Sequence, residues 1–349
     1  MKTVSLWMAV ALIAGCAAQW PAVDDPITVM TFNVENLFDT THDADKDDYT
    51  YLPLTTKQSD EHRARCADIR VDGWRAQCLN LDWSEFALKR KLGAIAASIL
   101  ANGADGRGPD IVVLQEVENV EVLERLRTEY LAAAGYGPAV LVEGTDLRGI
   151  DVAFLSRLPL VGAPVLHPTR FTHIDDRARN DTRGILEATF ELPDGELLTG
   201  FAVHFPAPFH PTTLRVQSYQ FLATLLAAVP ADRLVFAAGD FNTIAAEKDV
   251  LDTYVAPDWT LAHRAGCEDC RGTHYYAPND DWSFLDMILV STARSGVDAG
   301  RWVLDPAQTR VGNAWPAQST QAGVPRRFDP GTGRGVSDHW PLLVSFVRR

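Results

Sequence analysis

The sequence predicts an α+β fold, a four-layer α/β/β/α sandwich in which two packed mixed β-sheets are flanked by helices. Two observations carry that expectation. Short apolar runs such as Asp110 to Leu114 (DIVVL) and Leu234 to Ala238 (LVFAA) are continuous rather than alternating, as in strands buried on both faces. Strand-like and helix-like segments also mix without strict alternation, which argues against a plain doubly wound sheet and for two sheets packed together.

The elements follow in order. Residues 1–16, MKTVSLWMAVALIAGC, read as a targeting segment: Lys2 supplies a positive start, and Val4 to Ala14 is an apolar run too short to span a bilayer. Residues 17–26 form a linker, and residues 27–349 form one domain. Ile27 to Asn33 is a β-rich run that turns polar at Asn33. Thr40 to Asp82 is a long acidic and polar surface excursion. Phe86, Leu88, Leu92, Ile95, Ile99 and Leu100 recur at helical spacing, and the segment from Gly103 to Pro109 ends that helix. Val122, Leu123, Leu126 and Tyr130 outline a second helix, and Leu214 to Val229 a third. Further strands are expected at Asp151 to Leu155, Ile185 to Leu192, Glu196 to Val203, Ser283 to Val290 and Pro341 to Val347, with Pro193-Asp194-Gly195 as a hairpin turn.

The cysteines divide by role. Ile13-Ala14-Gly15-Cys16 resembles a bacterial lipobox, in which the chain is cut before Cys16 and that thiol is lipidated. Ala17 in the next position favours an outer-membrane lipoprotein of the cell envelope. The other four form local pairs, Cys66 with Cys78 and Cys267 with Cys270, and read as two short-loop disulfides of an oxidising compartment. A four-thiolate zinc site is the rival reading, but only Cys267-Glu-Asp-Cys270 has suitable spacing.

Net charge is −14, which opposes long-range attraction of nucleic acid. It leaves room for a locally basic or metal-filled cleft, so it shifts the odds among substrates without excluding a nuclease.

Metal-capable residues cluster where apolar strands stop. Asn33 and Glu35 lie in TFNVEN, Glu116 in LQEVEN, His204 closes FAVH, Asp240 and Asn242 lie in GDFN, and Asp338 and His339 in SDHWPL. Asp286 falls inside the strand-like run WSFLDMILVS and needs a partner there, because an unpaired carboxylate in an apolar strand is costly. Oxygen donors of this kind suit a hard cation, and imidazole or amide donors can stabilise a phosphoester transition state. Blander readings exist for each residue: Asn33 can cap a turn, Glu118 is expected to be solvated or to start a helix, and Asp151 is read as structural.

Taken together and in this order, TFNVEN, LQEVEN, GDFN and SDHWPL resemble the endonuclease/exonuclease/phosphatase superfamily over Ile27 to Phe346. The resemblance implies a metal-dependent hydrolase of phosphoester bonds, with residues 27–349 as its catalytic domain and Mg²⁺ as cofactor, Mn²⁺ or Ca²⁺ being alternatives. It implies metal ligation by Glu116, Glu35 and Asp338, with Asn33 beside the scissile phosphate. Asp240 or His339 would handle the water proton, Asn242 would donate to the phosphate, Asp286 would pair with His339, and His204 would act near the leaving group. The usual Asn before that histidine is Val203 here. Arg170, Arg177, Arg179 and Arg183 precede the Ile185 strand and either hold a flanking phosphate, with Arg183 the foremost candidate, or belong to a solvated loop balanced by Asp175, Asp176 and Asp181. The expected substrate is nucleic acid, with a small or lipid phosphate as the alternative, for a lipid-anchored monomer. A non-catalytic envelope binding protein is the competing class.

Overall fold

The computed structural model describes residues 21–22, 25–172, 182–292 and 301–349. Cys16, the segment 1–16, most of the linker, Arg177 and Arg179 lie outside the described residues. Two six-stranded sheets form the centre. The first runs Trp302–Val311 (β13), Leu342–Arg348 (β14), Ile27–Leu37 (β1), Ile111–Val117 (β2), Asp151–Ser156 (β4) and Val140–Leu141 (β3). The second runs Val165–His167 (β5), Ile185–Glu191 (β6), Leu197–His204 (β7), Leu234–Asp240 (β8), Asp286–Ser291 (β12) and Trp259–Leu261 (β9). A small hairpin, His274–Tyr276 (β10) with Asp281–Ser283 (β11), stands apart. Both large sheets are mixed: β1 pairs with β2 in parallel and with β14 antiparallel, and β7 with β8 in parallel while β12 runs opposite.

Side-chain parity explains the layering. Ile27 and Val29 of β1, with Ile111 and Val113 of β2, face the second sheet and pack with Leu186, Phe236, Ala238 and Ile288. Met30, Phe32, Val112 and Leu114 face the other way, onto Leu92, Ile95 and Ile99 of the helix Glu85–Ala101 (α3). On the far side, Val235 and Ala237 meet Tyr219, Leu222 and Leu226 of the helix Thr212–Ala228. Strands with both faces covered need apolar residues at every position, hence the continuous runs. The layers are therefore helix, sheet, sheet, helix.

Several elements differ from expectation. Thr40 to Asp82 carries two short helices, Asp60–Ala67 (α1) and Asp72–Asn80 (α2), joined by the Cys66–Cys78 disulfide. Their buried residues are only His62, Cys66 and Cys78, so no apolar period announces them. Cys267 and Cys270 are likewise disulfide-linked. The strand expected over Ser283 to Val290 is two, because β11 ends at Ser283 and β12 begins at Asp286. β13 went unforeseen: it is an edge strand with Pro306 in a register break between Asp305 and Arg310, where polar residues and proline are tolerated. Among the described residues no helix is long and apolar enough to cross a membrane.

Candidate active site

The polar residues at strand ends obey the same parity as the core. Leu198 and Ala202 of β7, Phe236 and Ala238 of β8, and Ile288 and Val290 of β12 face the seam between the sheets. His204, Asp240 and Asp286 share the parity of those positions on the same three strands. Backbone register sets them in one row, His204 opposite Asp240 and Asp240 opposite Asp286. On the first sheet Asn33 follows Ile27 and Val29 in phase. Its Nδ2 donates across the seam to Asp240 Oδ2 at 3.0 Å. Gly239 lets β8 come this close to β7, since a Cβ there would lie 1.9 Å from the Val203 carbonyl oxygen.

Glu35, Asn36 and Glu116 reach the site by another device. Register breaks in the β1–β2 ladder fall between Asn33 and Leu37, and in the β2–β4 ladder between Gln115 and Val117. Glu35 (φ 54°), Asn36 (φ 60°) and Glu116 (φ 64°) sit there in the left-handed region, and Asn242 (φ 51°) does so after β8. Such conformations cost energy for residues with a Cβ and concentrate where a bulge must re-aim a side chain. Glu116 Oε2 accepts from the Asn36 amide at 2.9 Å, and its Oε1 lies 3.5 Å from Asn33 Nδ2.

His339 Nδ1 lies 2.7 Å from Asp286 Oδ2, so Asp286 has the partner its burial demands. Ser337 supports this pair: its hydroxyl donates to the Asn33 carbonyl at 2.7 Å and accepts from the His339 amide at 3.0 Å. Burial alone would drive the His339 imidazole down, but Asp286, by charge and hydrogen bond, with Asp338 and Asp240 behind it, holds it well above its ordinary range. His204 behaves oppositely. Burial, then the charges of Arg183 and Arg148, keep it well below the usual value, hence neutral; its Nε2 is 3.6 Å from Asp240 Oδ2. Burial pushes Asp240 up to about 7, against the pull of His339. Asn242 donates its backbone N–H to Asp240 Oδ1 at 2.8 Å and its side-chain amide to the Phe205 carbonyl at 3.0 Å.

Asn33, Glu35, Asn36, Glu116, His204, Asp240, Asn242 and His339 line one cavity of about 350 Å³, whereas Asp286 and Ser337 are buried behind it. Glu35, Glu116 and Asp338 lie along one wall. Glu35 is pushed up to about 7 by burial and by Asp338. Arg327 bridges two of the three, with Nη1 3.0 Å from Glu35 Oε1 and Nη2 2.5 Å from Asp338 Oδ2. A donor set of carboxylates and amide oxygens, crowded enough to raise one carboxyl's pKa, fits a hard divalent cation. Among the described residues, the metal-capable groups with ligand atoms closest together are instead Asp240–Asp286–His339 and His274–Asp338–His339. A third such group, His62–Cys66–Cys78, has its thiols closed in a disulfide.

Arg183 lines the cavity with its Nε 2.8 Å from Asp146 Oδ2, so its charge is already matched within the protein. Glu118 corrects an expectation. It is buried rather than solvated, accepts from the Asp39 amide, and burial pushes it up to about 9. Asn119, not Glu118, caps the following helix Val120–Arg125. Sequence reasoning missed Arg148, Arg327 and Lys91, which surround the carboxylate wall, and His274, whose ring centre is 4.9 Å from that of His339. Each sits in a stretch without a motif, so only the fold reveals them.

No curated protein matches the chain. Among solved structures, a humanized D. rerio TDP2 with 14 mutations is similar at 18% identity, over 92% of this chain and 98% of that one, with a TM-score of 0.53. An endonuclease/exonuclease/phosphatase from Beutenbergia cavernae is 17% identical over 93% of this chain and 72% of its own, with a TM-score of 0.55. D. rerio TDP2 complexed with a single-strand DNA product is 16% identical over 93% and 99%, with a TM-score of 0.51. At these identities the likeness speaks for the fold. The family model described as endonuclease/exonuclease/phosphatase matches residues 30–339. With that match spanning most of the sequence, the chain belongs to the endonuclease/exonuclease/phosphatase family.

Proposed function

We propose that this protein is a divalent-metal-dependent phosphodiesterase, a nuclease-type hydrolase tethered in the cell envelope by a lipid on Cys16. Family membership supports phosphoester hydrolysis with a divalent cation in general terms. The observation that carries the finer reading is the convergence of Asn33, His204, Asp240, Asp286 and His339 at one seam, beside Glu116. The D. rerio TDP2 structure with a DNA product supports a nucleic-acid type of ester.

Glu116 would hold the cation, with Glu35 and Asp338 on the same wall. A bound Mg²⁺ or Mn²⁺ would supply positive charge to the phosphoryl oxygens. Asp240, oriented by Asn33 and by the Asn242 amide, takes the proton of the attacking water. His339, flanked by Asp286 and Asp240, stays charged and donates through Nε2 to a phosphoryl oxygen. His204, neutral and beside Asp240, faces the leaving-group side.

A second reading, a phosphatase or sphingomyelinase-like phospholipase, is favoured by the net charge of −14. A substrate panel on the chain lacking residues 1–16 separates them, with Glu116→Ala as control. The panel holds plasmid and single-stranded DNA, RNA, sphingomyelin and inositol polyphosphates. Metal-dependent cleavage of DNA or RNA, lost in the control, supports the nuclease. Turnover confined to lipid or inositol phosphates overturns it.

A further inference from the structure

Part of the cavity lining is apolar. Phe171, Phe205, Pro206, Ala207, Phe209 and Leu214 form that part. Phe205 is buried, but Phe209 is 74% exposed, the most exposed large apolar side chain among the described residues. Its ring lies 4.3 Å from that of His210, tilted by 41°. A solitary exposed apolar residue is ordinary on a protein surface. Phe209 differs because its loop is built to hold it at the cavity mouth.

That loop, His204 to Thr212, contains Pro206, Pro208 and Pro211, which restrict its backbone. From beneath it is pinned by Arg215, 1% exposed, whose Nη1 donates to the carbonyls of Pro206, Ala207 and His210 at 3.2, 3.0 and 3.4 Å. Glu247 holds the other side of the guanidinium, accepting from Nε at 3.0 Å. An arginine committed in this way is costly to bury and fixes three carbonyls of a surface loop. The result is a rigid aromatic edge on the loop that begins at His204.

We infer that Phe209 is a stacking lip for a planar group of the substrate, so that the site takes phosphodiesters carrying a nucleobase next to the scissile phosphate. This rests on the phosphodiesterase reading above and narrows it. An aromatic face presented to solvent gains most from another flat π-surface, and it does so with little regard to which base is offered. A bare sugar phosphate offers it nothing to stack on.

The test compares a thymidine dinucleotide with its abasic analogue, the same phosphodiester without bases, on the full chain with Mn²⁺. Wild type should prefer the dinucleotide in kcat/KM by roughly ten-fold, the scale of one base–aromatic contact. Phe209→Ala should collapse that preference towards unity by raising KM for the dinucleotide, and Phe209→Trp should retain it. An undiminished preference in Phe209→Ala overturns the inference. Binding gives an independent reading, as fluorescence of Phe209→Trp measured against wild type. Saturable quenching by the dinucleotide but not by the abasic analogue supports the lip, and no difference between them overturns it. Should wild type cleave neither compound, the phosphodiesterase reading fails separately, and the fluorescence still decides the lip.

Discussion

The hydrogen bond between Asp286 Oδ2 and His339 Nδ1, 2.7 Å long, joins the two halves of the sandwich. Asp286 opens β12 in the second sheet, whereas His339 leads into β14 in the first. Asn33 and Asp240 repeat the same crossing at 3.0 Å. The site is therefore a property of how the sheets meet, and its groups should act as a unit. Asp286→Asn keeps the shape but removes the charge that holds the imidazolium. It should lower kcat by roughly 10²- to 10⁴-fold. Combined with His339→Gln, it should cost little beyond His339→Gln alone. Multiplicative losses in the double variant would separate the two residues.

Glu116 sits at a bulge, in a left-handed conformation that few residues tolerate, with Asn36 fixing one of its oxygens. Chelation by EDTA should silence hydrolysis, and Mg²⁺ or Mn²⁺ should restore it. In calorimetry Glu116→Gln should bind Mn²⁺ more than roughly ten-fold more weakly, because an anionic oxygen is a far better ligand for a hard cation than an amide. Unchanged Mn²⁺ affinity would remove Glu116 from the metal site.

Lys91 lies in α3 with 0% exposure, and its Nζ donates to the Val336 carbonyl at 2.6 Å while lying 5.0 Å from the Phe328 ring centre. Burial brings its pKa down to about 8. Val336 lies two residues before Asp338, so this contact ties the helix layer to the end of the site loop. Lys91→Met fills similar volume but leaves that carbonyl unpaired, at a cost of about 1–3 kcal/mol. A lower melting temperature should follow, and an unchanged one would show that the carbonyl finds another donor.

Asp151, the strand partner of Val117, gives a pH signature in stability. Burial pushes its pKa up to about 7, against the Gly144 amide, which donates to it at 2.8 Å. The folded state thus keeps a proton that the unfolded chain releases near pH 4. Stability falls as pH rises from about 4 to 7, and the loss is complete above that. Asp151→Asn retains an acceptor for Gly144 and cannot titrate. Its stability relative to wild type, followed by melting temperature, should therefore climb between pH 5 and pH 8, by about 3 kcal/mol at most. A difference independent of pH would contradict the raised pKa.

Legibility in the sequence followed burial. β2 and β8 were readable because strands covered on both faces must be apolar throughout. The helix α3 was readable because one stripe must be apolar. Polar edges such as β13, and the disulfide-joined α1 and α2, bury too little to leave a period. Asn33, His204, Asp240 and Asp286 stood out as polar residues interrupting apolar runs. Glu118 was misjudged because nothing local announces that Asp39 and the surrounding chain close over it.

The sequence by itself determined the strands buried on both faces, the class of the fold and the polar residues that interrupt apolar runs, since each depends on a local period or its interruption. Only the tertiary structure decided which of those residues meet. Asp240 lies 207 residues from Asn33, and Asp286 lies 53 from His339. Their approach depends on strand register, and that of Glu35 and Glu116 on two bulges, and neither leaves a local mark in composition or periodicity. The same holds for Arg327, Arg148 and Lys91, whose charges matter only because the fold carries them to a wall of carboxylates.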